Sequence, residues 1–440
     1  MKRLRNGGRG ALVVAAAMCV VAAQPGLSGG PGLPGLAGTA RAAEGPSPYA
    51  FDPEAQDIKG AAGTGSAQPL EAGDTYSDSI KPGEKRFYRL DLDDARNAYV
   101  SATAVPELGS QVEYGDELTV TMQDRDGAEC DAGQALVLPT GDYPRPLTTY
   151  ATRTLGGAEY GGCHEAGPHY VIVERESKAA STQDPWDLEL RYLSEPKLKT
   201  AGPTEAAGDW PSASPQPPSG APSAREGGAG FADAVGLDGG AWTAKINPGE
   251  SIFYRVPVNW GQQLFTSVDL GASEKDGIAG TAIGLAVYNP ARGLVDDAES
   301  LSYNGDEMSL ATDPAPPVDY PNRFGSSAEE KAMRFAGWYY VRVSLSPEVG
   351  EAFGQKPYDV TLRVTVDGTA KNGPGYDGPA GEFSVSDENL EQADNGSTRE
   401  NAEDNTTMTL VAAGGIGTGT VLVLGLGGWV LVARRREAGR

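Results

Sequence analysis

The chain has 440 residues and a formal net charge of −24, and a chain of this length typically forms two or three domains. So acidic a surface excludes a nucleic-acid-binding role, because it offers phosphates no positive field. Only two histidines and three cysteines are present, which excludes most metal and nucleophile chemistry, while 60 glycines and 32 prolines favour turn-rich β-structure.

The first 42 residues have the three parts of a secretory signal peptide. Basic residues beginning at Lys2 precede an apolar core at residues 11–23, which is too short to span a bilayer. An A-x-A site follows at residues 40–42, so we predict cleavage after Ala42. The long Ala-, Gly- and Arg-rich signal resembles those of actinomycetes.

Composition divides residues 43–408 into five segments. Apolar and polar residues alternate in two of them, whereas the other three are rich in Pro, Ser, Gly or acidic residues and predict little buried structure. In order, we predict a loose N-terminal arm (43–67), a first module (68–196), a linker (197–230), a second module (231–368) and a disordered acidic stalk (369–408).

The two modules are predicted to be copies of one domain. Residues 80–92 and 246–258 share the pattern I-x-P-G-E-x-x-F-Y-R without a gap. Three further blocks recur in the same order: 99–103 with 264–268, 167–173 with 337–343, and 185–191 with 357–363. The blocks alternate apolar and polar residues between turn signals, which predicts a mainly β fold of two tandem antiparallel sandwiches.

The repeated pattern resembles the bacterial pre-peptidase C-terminal (PPC) domain. Each copy has a glycine (Gly73 or Gly239) seven positions before the shared isoleucine, and later a G-x-x-Y-V-x-V block and a closing strand. The resemblance covers both modules and implies jelly-roll-like sandwiches with a binding or accessory role. PPC domains accompany secreted hydrolases, but no protease domain precedes either copy, so any assisted enzyme would be a separate chain.

Cys130 and Cys163 are the cysteines that remain after signal removal. Both lie in the first module, which we place outside the membrane, where disulfides persist. We therefore predict a bridge between them, with two free thiols as the alternative. The second module has no cysteine, so the bridge would be a local reinforcement.

Other chemistry-bearing residues favour structural interpretations. His164 and His169 are one residue too far apart for an H-E-x-x-H motif, and the Gly-Pro between them would break its helix, so we expect surface or strand-end histidines. The acidic turn at residues 124–131 offers oxygen ligands for calcium but lacks the EF-hand glycine and glutamate. We predict no catalytic residue, cofactor or metal.

Two tryptophans receive different predictions. Trp186 occupies a repeat position held by Tyr358 in the second copy, which indicates core or sheet-face packing. Trp260 lies on a predicted turn, which makes it the better candidate for an exposed binding face.

An uncharged stretch near the C-terminus predicts one transmembrane helix at residues 409–433. A basic tail (434–440) follows, and positive charge stays cytoplasmic, so the modules would face outwards. Gly415 and Gly419 form a GxxxG motif and are candidates for homodimer contacts in the membrane.

These features together predict a single-pass cell-membrane protein whose bulk is extracellular. We expect a non-catalytic binding or scaffold protein whose partner is an envelope protein or glycan. The alternative, favoured by the PPC resemblance alone, is an accessory subunit that tethers or assists a separate secreted hydrolase at the cell envelope.

Overall fold

The computed structural model describes residues 45–399, apart from 139–141, 156–160, 217, 219 and 301. These residues all belong to one compact unit. The predicted signal peptide, membrane helix, basic tail and GxxxG pair lie outside the described residues.

Ten strands form the first sandwich. They are β1 (Gln56–Asp57), β2 (Gln68–Pro69), β3 (Thr75–Ile80), β4 (Lys85–Leu92), β5 (Arg96–Val105), β6 (Glu117–Gln123), β7 (Glu129–Leu136), β8 (Leu147–Arg153), β9 (Gly167–Glu176) and β10 (Trp186–Pro196). One sheet has the order β1-β3-β10-β5-β8 and the other β2-β4-β9-β6-β7. Among the described residues of the first sandwich, the short edge strands β1 and β2 are the ones that pair in parallel, with β3 and β4 respectively.

The second sandwich repeats this arrangement. Its strands are β11 (Ser223–Ala224), β12 (Val235–Gly236), β13 (Gly240–Ile246), β14 (Ser251–Val258), β15 (Gln263–Leu270), β16 (Ile283–Tyr288), β17 (Leu294–Glu299), β18 (Met308–Ala311), β19 (Gly337–Leu345) and β20 (Tyr358–Asp367). The sheet orders are β11-β13-β20-β15-β18 and β12-β14-β19-β16-β17, which are those of the first sandwich shifted by ten. The predicted duplication is confirmed.

Without the two-residue edge strands, each sandwich has eight strands in two antiparallel sheets. Counted from one to eight, these strands have the orders 1-8-3-6 and 2-7-4-5, as in a jelly roll. A single apolar core in each sandwich draws side chains from both of its sheets. Trp186 is 3% exposed and belongs to the first core, as its repeat position predicted.

The repeated I-x-P-G-E motif has a structural role. Its isoleucines, Ile80 and Ile246, are fully buried in the two cores. The following glycines have positive φ, and the motif glutamate accepts a hydrogen bond from the backbone N–H of the residue after the isoleucine, at 3.0 Å for Glu84 and 2.8 Å for Glu250. The motif therefore shapes a turn and anchors the strand after it.

Within residues 45–399, three α-helices lie outside the sheets. They are α1 (Ala328–Ala332), α2 (Pro347–Phe353) and α3 (Asp387–Asn395). A capping box between Ser386 and Asn389 begins α3, and Gly396 ends it with φ 71°.

The segments predicted to be loose contain ordered structure within the described residues. The arm and the linker contribute the edge strands β1 and β11, and the predicted acidic stalk contains α3, which packs against β12 and β14. Two of its apolar residues, Phe383 and Ala393, are each 1% exposed, whereas Leu390 of α3 is 52% exposed. Arg225 donates to the carbonyls of Ala393 and Asp394 at 2.8 and 2.9 Å and so holds the C-terminal end of α3.

Candidate functional site at the junction of the two sandwiches

The two sandwiches pack directly on each other through one outer sheet face each. The first contributes the sheet that contains β10, and the second the sheet that contains β19. Because of this packing, β10 is buried on both faces, whereas its repeat equivalent β20 alternates between buried and partly exposed residues. We call this contact the junction.

A buried ion pair lies at the junction. Glu189 of β10 is fully buried and accepts a hydrogen bond from Arg292 at 2.5 Å. The same carboxylate accepts bonds from the hydroxyl of Tyr49 at 3.1 Å and the backbone N–H of Asp52 at 2.8 Å. These bonds fix the N-terminal arm across both sandwiches, because Tyr49 also packs edge-on against Phe253 of β14.

Arg292, the cation of this ion pair, lies in a strained turn between β16 and β17. It has φ 61°, and within the described ranges it is the one residue other than glycine with positive φ. Side chains disfavour this conformation by about 1 kcal/mol. The Asn289 side chain stabilises the turn by accepting from the backbone N–H groups of Ala291 and Gly293 at 3.0 and 2.9 Å. A residue keeps a strained backbone conformation of this kind only where the surrounding structure holds it in place.

A second buried carboxylate, Glu195, lies at the end of β10. It pairs with Arg323 of the second sandwich at 3.0 Å and accepts a bond from the Tyr376 hydroxyl at 2.7 Å. Asn97 and Tyr99 of β5 also donate to it, each at 2.6 Å. Burial alone would raise the pKa of Glu195, but the charge of Arg323 and these bonds lower it below its ordinary value.

An aromatic cluster fills the junction beside Glu195. Tyr99 meets Phe335 of the second sandwich edge-on at 4.9 Å and Phe383 of the C-terminal segment at 5.6 Å between ring centroids. All three side chains are at most 1% exposed. Apolar burial of this kind supplies the free energy that two desolvated ion pairs alone would not provide.

The junction also includes polar contacts from β8 and from the loop between β7 and β8 of the first sandwich. Arg145 forms a buried ion pair with Glu299 of β17, and Arg342 of β19 donates to the carbonyl of Pro146. Arg334 donates to the Tyr150 hydroxyl at 3.2 Å. Ion pairs and hydrogen bonds therefore connect the two sandwiches at several places in the junction.

A cavity of about 480 Å³ opens between the junction and α3. Its buried floor carries three arginines, Arg191, Arg255 and Arg292, and its mouth is formed by the more exposed residues Glu382, Glu388, Asn389, Gln392 and Arg399. We call it the arginine cavity. Its volume suits a small organic molecule.

The predicted disulfide is confirmed. Cys130 and Cys163 are bonded at 2.00 Å and join β7 to a short 3-10 helix at Gly161–His164. Arg153 donates to the Cys163 carbonyl at 2.7 Å, which holds the same corner of the first sandwich.

Other sequence candidates lie apart from the junction. His169 is 2% exposed near the start of β9, where burial lowers its pKa. The Asp124 carboxylate accepts from the backbone N–H groups of Asp126 and Ala128 at 2.9 and 2.8 Å and so stabilises its turn. In the part of the chain that the structure describes, no group of three or more His, Cys, Asp or Glu residues is arranged to hold a metal ion.

The predicted exposure of Trp260 is wrong. Its indole is 6% exposed because residues of the segment after the second sandwich cover it. The backbone N–H of Lys371 donates to the Trp260 carbonyl at 2.8 Å, and Gly373 lies so close to the indole that a side chain there would collide with it. Trp260 belongs to the second core.

The predicted membrane helix lies outside the described residues. Among the described residues, no helix combines the length and apolar character that a bilayer span requires. The predicted span at residues 409–433 and its Gly415 and Gly419 contact therefore stay predictions.

Comparisons with known proteins give a weak likeness. No protein-family model and no curated protein matches the chain, so the PPC resemblance stays a hypothesis. Among solved structures, a family 6 carbohydrate-binding module is 12% identical, covering 29% of this chain and 96% of its own, with a TM-score of 0.17. The CBM22-1–CBM22-2 tandem of Paenibacillus barcinonensis Xyn10C is 12% identical over 67% of this chain and 87% of its own, with a TM-score of 0.18. The CUB1-EGF-CUB2 domain of human MASP-1/3 is 5% identical over 66% and 99%, with a TM-score of 0.15. Values this low transfer neither a fold nor a function.

Proposed function

We propose that this chain is a non-catalytic, single-pass membrane protein that presents its two sandwiches as one extracellular body to an envelope protein or glycan. The observation that carries the proposal is the junction, in which β10 is buried on both faces. Two sandwiches fixed as one body need no ordering relative to each other when a large partner binds, which lowers the free-energy cost of binding.

Sequence features supply the cellular part of the proposal. The signal peptide at residues 1–42, the apolar stretch at 409–433 and the basic tail support export and anchoring. Over most of the surface, the strongly acidic composition favours a partner with exposed basic or neutral hydrogen-bonding groups, because an acidic surface repels anionic groups.

The test is crosslinking on intact cells of the source organism. The chain carries an affinity tag on its cytoplasmic tail, a membrane-impermeant crosslinker is added outside, and the purified membrane fraction is analysed by mass spectrometry. We expect one envelope protein or glycan to be joined to the chain. Absence of any crosslinker on a chain present in the cells would contradict the extracellular placement.

A second outcome decides between the two roles from sequence. If the crosslinked partner is a secreted hydrolase whose activity at the envelope falls when the chain is deleted, the accessory role replaces the scaffold role. Turnover of a substrate by the purified chain alone would contradict both.

A further inference from the structure

The arginine cavity brings three buried guanidinium groups together from separate parts of the chain. Arg191 belongs to β10 of the first sandwich, whereas Arg255 of β14 and Arg292 of the β16–β17 turn belong to the second. The whole chain has a net charge of −24. The three buried arginines of the arginine cavity therefore have the opposite sign of charge to the protein as a whole.

Each floor arginine is held in place by the protein. Arg191 donates to the hydroxyl of Thr75 at 2.8 Å. Arg255 donates to the Gln392 side chain at 2.9 Å and stacks over the Trp338 ring at 4.3 Å. Arg292 is fixed by Glu189, as described above. Guanidinium groups fixed in this way are already oriented for a ligand and lose little entropy on binding.

Arg191 and Arg292 are like charges close together on the floor, and a ligand carboxylate would relieve their repulsion. Burial lowers the pKa of Arg191, and the nearby charges of Arg292 and Arg399 lower it further. Two carboxylates of the protein meet the floor arginines: Glu189 pairs with Arg292 at 2.5 Å inside the junction, and Glu382 meets Arg191 at 3.3 Å at the edge of the cavity. The Glu382 side chain is 43% exposed, so this contact lies at the mouth of the cavity and not on its floor.

The mouth offers groups of a different kind. Asn389 and Gln392 carry side-chain amides, and Glu388 carries a carboxylate that accepts from the Gln392 amide at 3.2 Å. Amides and carboxylates together bind hydroxyl groups, which both donate and accept hydrogen bonds. A ligand that fits both regions therefore has one carboxylate and several hydroxyls.

We propose that the arginine cavity binds a sugar acid, with its carboxylate on Arg191, Arg255 and Arg292 and its hydroxyls towards α3. Guanidinium groups bind carboxylates through paired, charge-assisted hydrogen bonds, which gives the floor its selectivity. The proposal deepens the binding role proposed above, because a sugar acid is the unit that an envelope glycan would offer. It concerns binding by the purified chain, so it fails independently of the crosslinking experiment.

The test is calorimetric titration of the full-length chain in a mild detergent with sodium D-glucuronate. D-glucose is the matched neutral sugar, and inorganic phosphate is the matched anion without a sugar. We expect glucuronate to bind with a Kd of about 1 mM or lower, and glucose and phosphate to bind at least about tenfold more weakly, because each meets only half of the site.

Two variants locate the site. Arg255→Gln removes a floor guanidinium and Arg399→Gln removes a partly exposed one at the mouth, so the second variant keeps the test valid if the first fails to fold. Arg255→Gln is expected to weaken glucuronate binding by about tenfold or more, and Arg399→Gln by about threefold, because it removes a positive charge near the carboxylate without removing a direct contact. Arg363→Gln is the matched control, because Arg363 pairs with Asp269 at 2.6 Å on β20, away from the cavity.

The titrations and the variants together decide whether the arginine cavity binds a sugar acid. Equal binding of glucuronate and glucose, or unchanged affinity in both folded cavity variants, would overturn the proposal. Phosphate that binds as tightly as glucuronate would also overturn it, since the cavity would then be a general anion site.

Discussion

Glu195→Ala is expected to lower the free energy of unfolding by about 3 to 5 kcal/mol, because it leaves Arg323 as a buried charge without its carboxylate. The Tyr99, Asn97 and Tyr376 side chains lose their shared acceptor at the same time. Urea unfolding at pH 7, followed by tryptophan fluorescence of the purified chain, measures the loss.

Glu174→Ala is the matched control. Glu174 pairs with Lys85 at 2.7 Å on β4 and β9, but the two side chains are 27% and 54% exposed, so the change should cost less than about 1 kcal/mol. A similar small loss in both variants would contradict the importance of the junction.

The effect of Glu195 should also depend on pH. Its pKa is lower in the folded protein than in the unfolded chain, so its contribution is complete above the ordinary glutamate pKa of about 4.3. The contribution is lost as the pH falls through the folded-state pKa. The stability difference between the natural chain and Glu195→Ala should therefore shrink in acid.

Removing the disulfide with Cys130→Ala and Cys163→Ala together is expected to lower the free energy of unfolding by about 3 to 4 kcal/mol. The bridge closes a loop between residues separated by 33 positions, and opening it gives the unfolded chain more conformations. Hydrogen exchange measures where stability is lost. Protection should fall in β7 and remain unchanged in β13 and β15 of the second sandwich.

Reduction of the natural chain provides the control for the double variant. The reduced protein should show the same loss, since both lack the bridge and keep similar side-chain volumes. A loss below about 1 kcal/mol in both would mean that Arg153 and the core hold this corner without the bridge.

The duplicated fold could be predicted because its signals are local. The pattern I-x-P-G-E-x-x-F-Y-R combines a buried isoleucine, a turn glycine with positive φ and a glutamate that binds the turn's backbone. Each of these requirements falls within a few adjacent residues, so both copies show it. The order of the four blocks then predicts the same strand order twice.

The junction could not be predicted because it pairs residues more than 100 positions apart. In the sequence, Glu189 alternates with Leu188 and Leu190, which is the pattern of a half-exposed strand. The signal that could have revealed it is the difference between the copies. Glu189 and Leu193 correspond to Thr361 and Thr365 in β20, so at these two outer-face positions β10 has a charged and an apolar side chain where β20 has threonines.

Trp260 and the predicted stalk were misread for a related reason. Turn chemistry correctly indicates where the chain reverses, but exposure depends on what covers the turn. Residues 371–373 lie over the indole, and an acidic composition with few apolar residues concealed the fact that Phe383 and Tyr376 are buried in the junction and the second core. The overall composition of a segment does not reveal the few apolar residues that anchor it to the core.

The distance between the two sandwiches in solution tests directly whether the junction holds them as one body. Spin labels are attached through Lys85→Cys and Lys245→Cys, whose natural side chains are 54% and 59% exposed on β4 and β13, and the label separation is measured by pulsed electron paramagnetic resonance. A junction that holds the sandwiches as one body predicts a single narrow distance distribution, which broadens in Glu195→Ala. A broad distribution in the chain with its junction intact would contradict it.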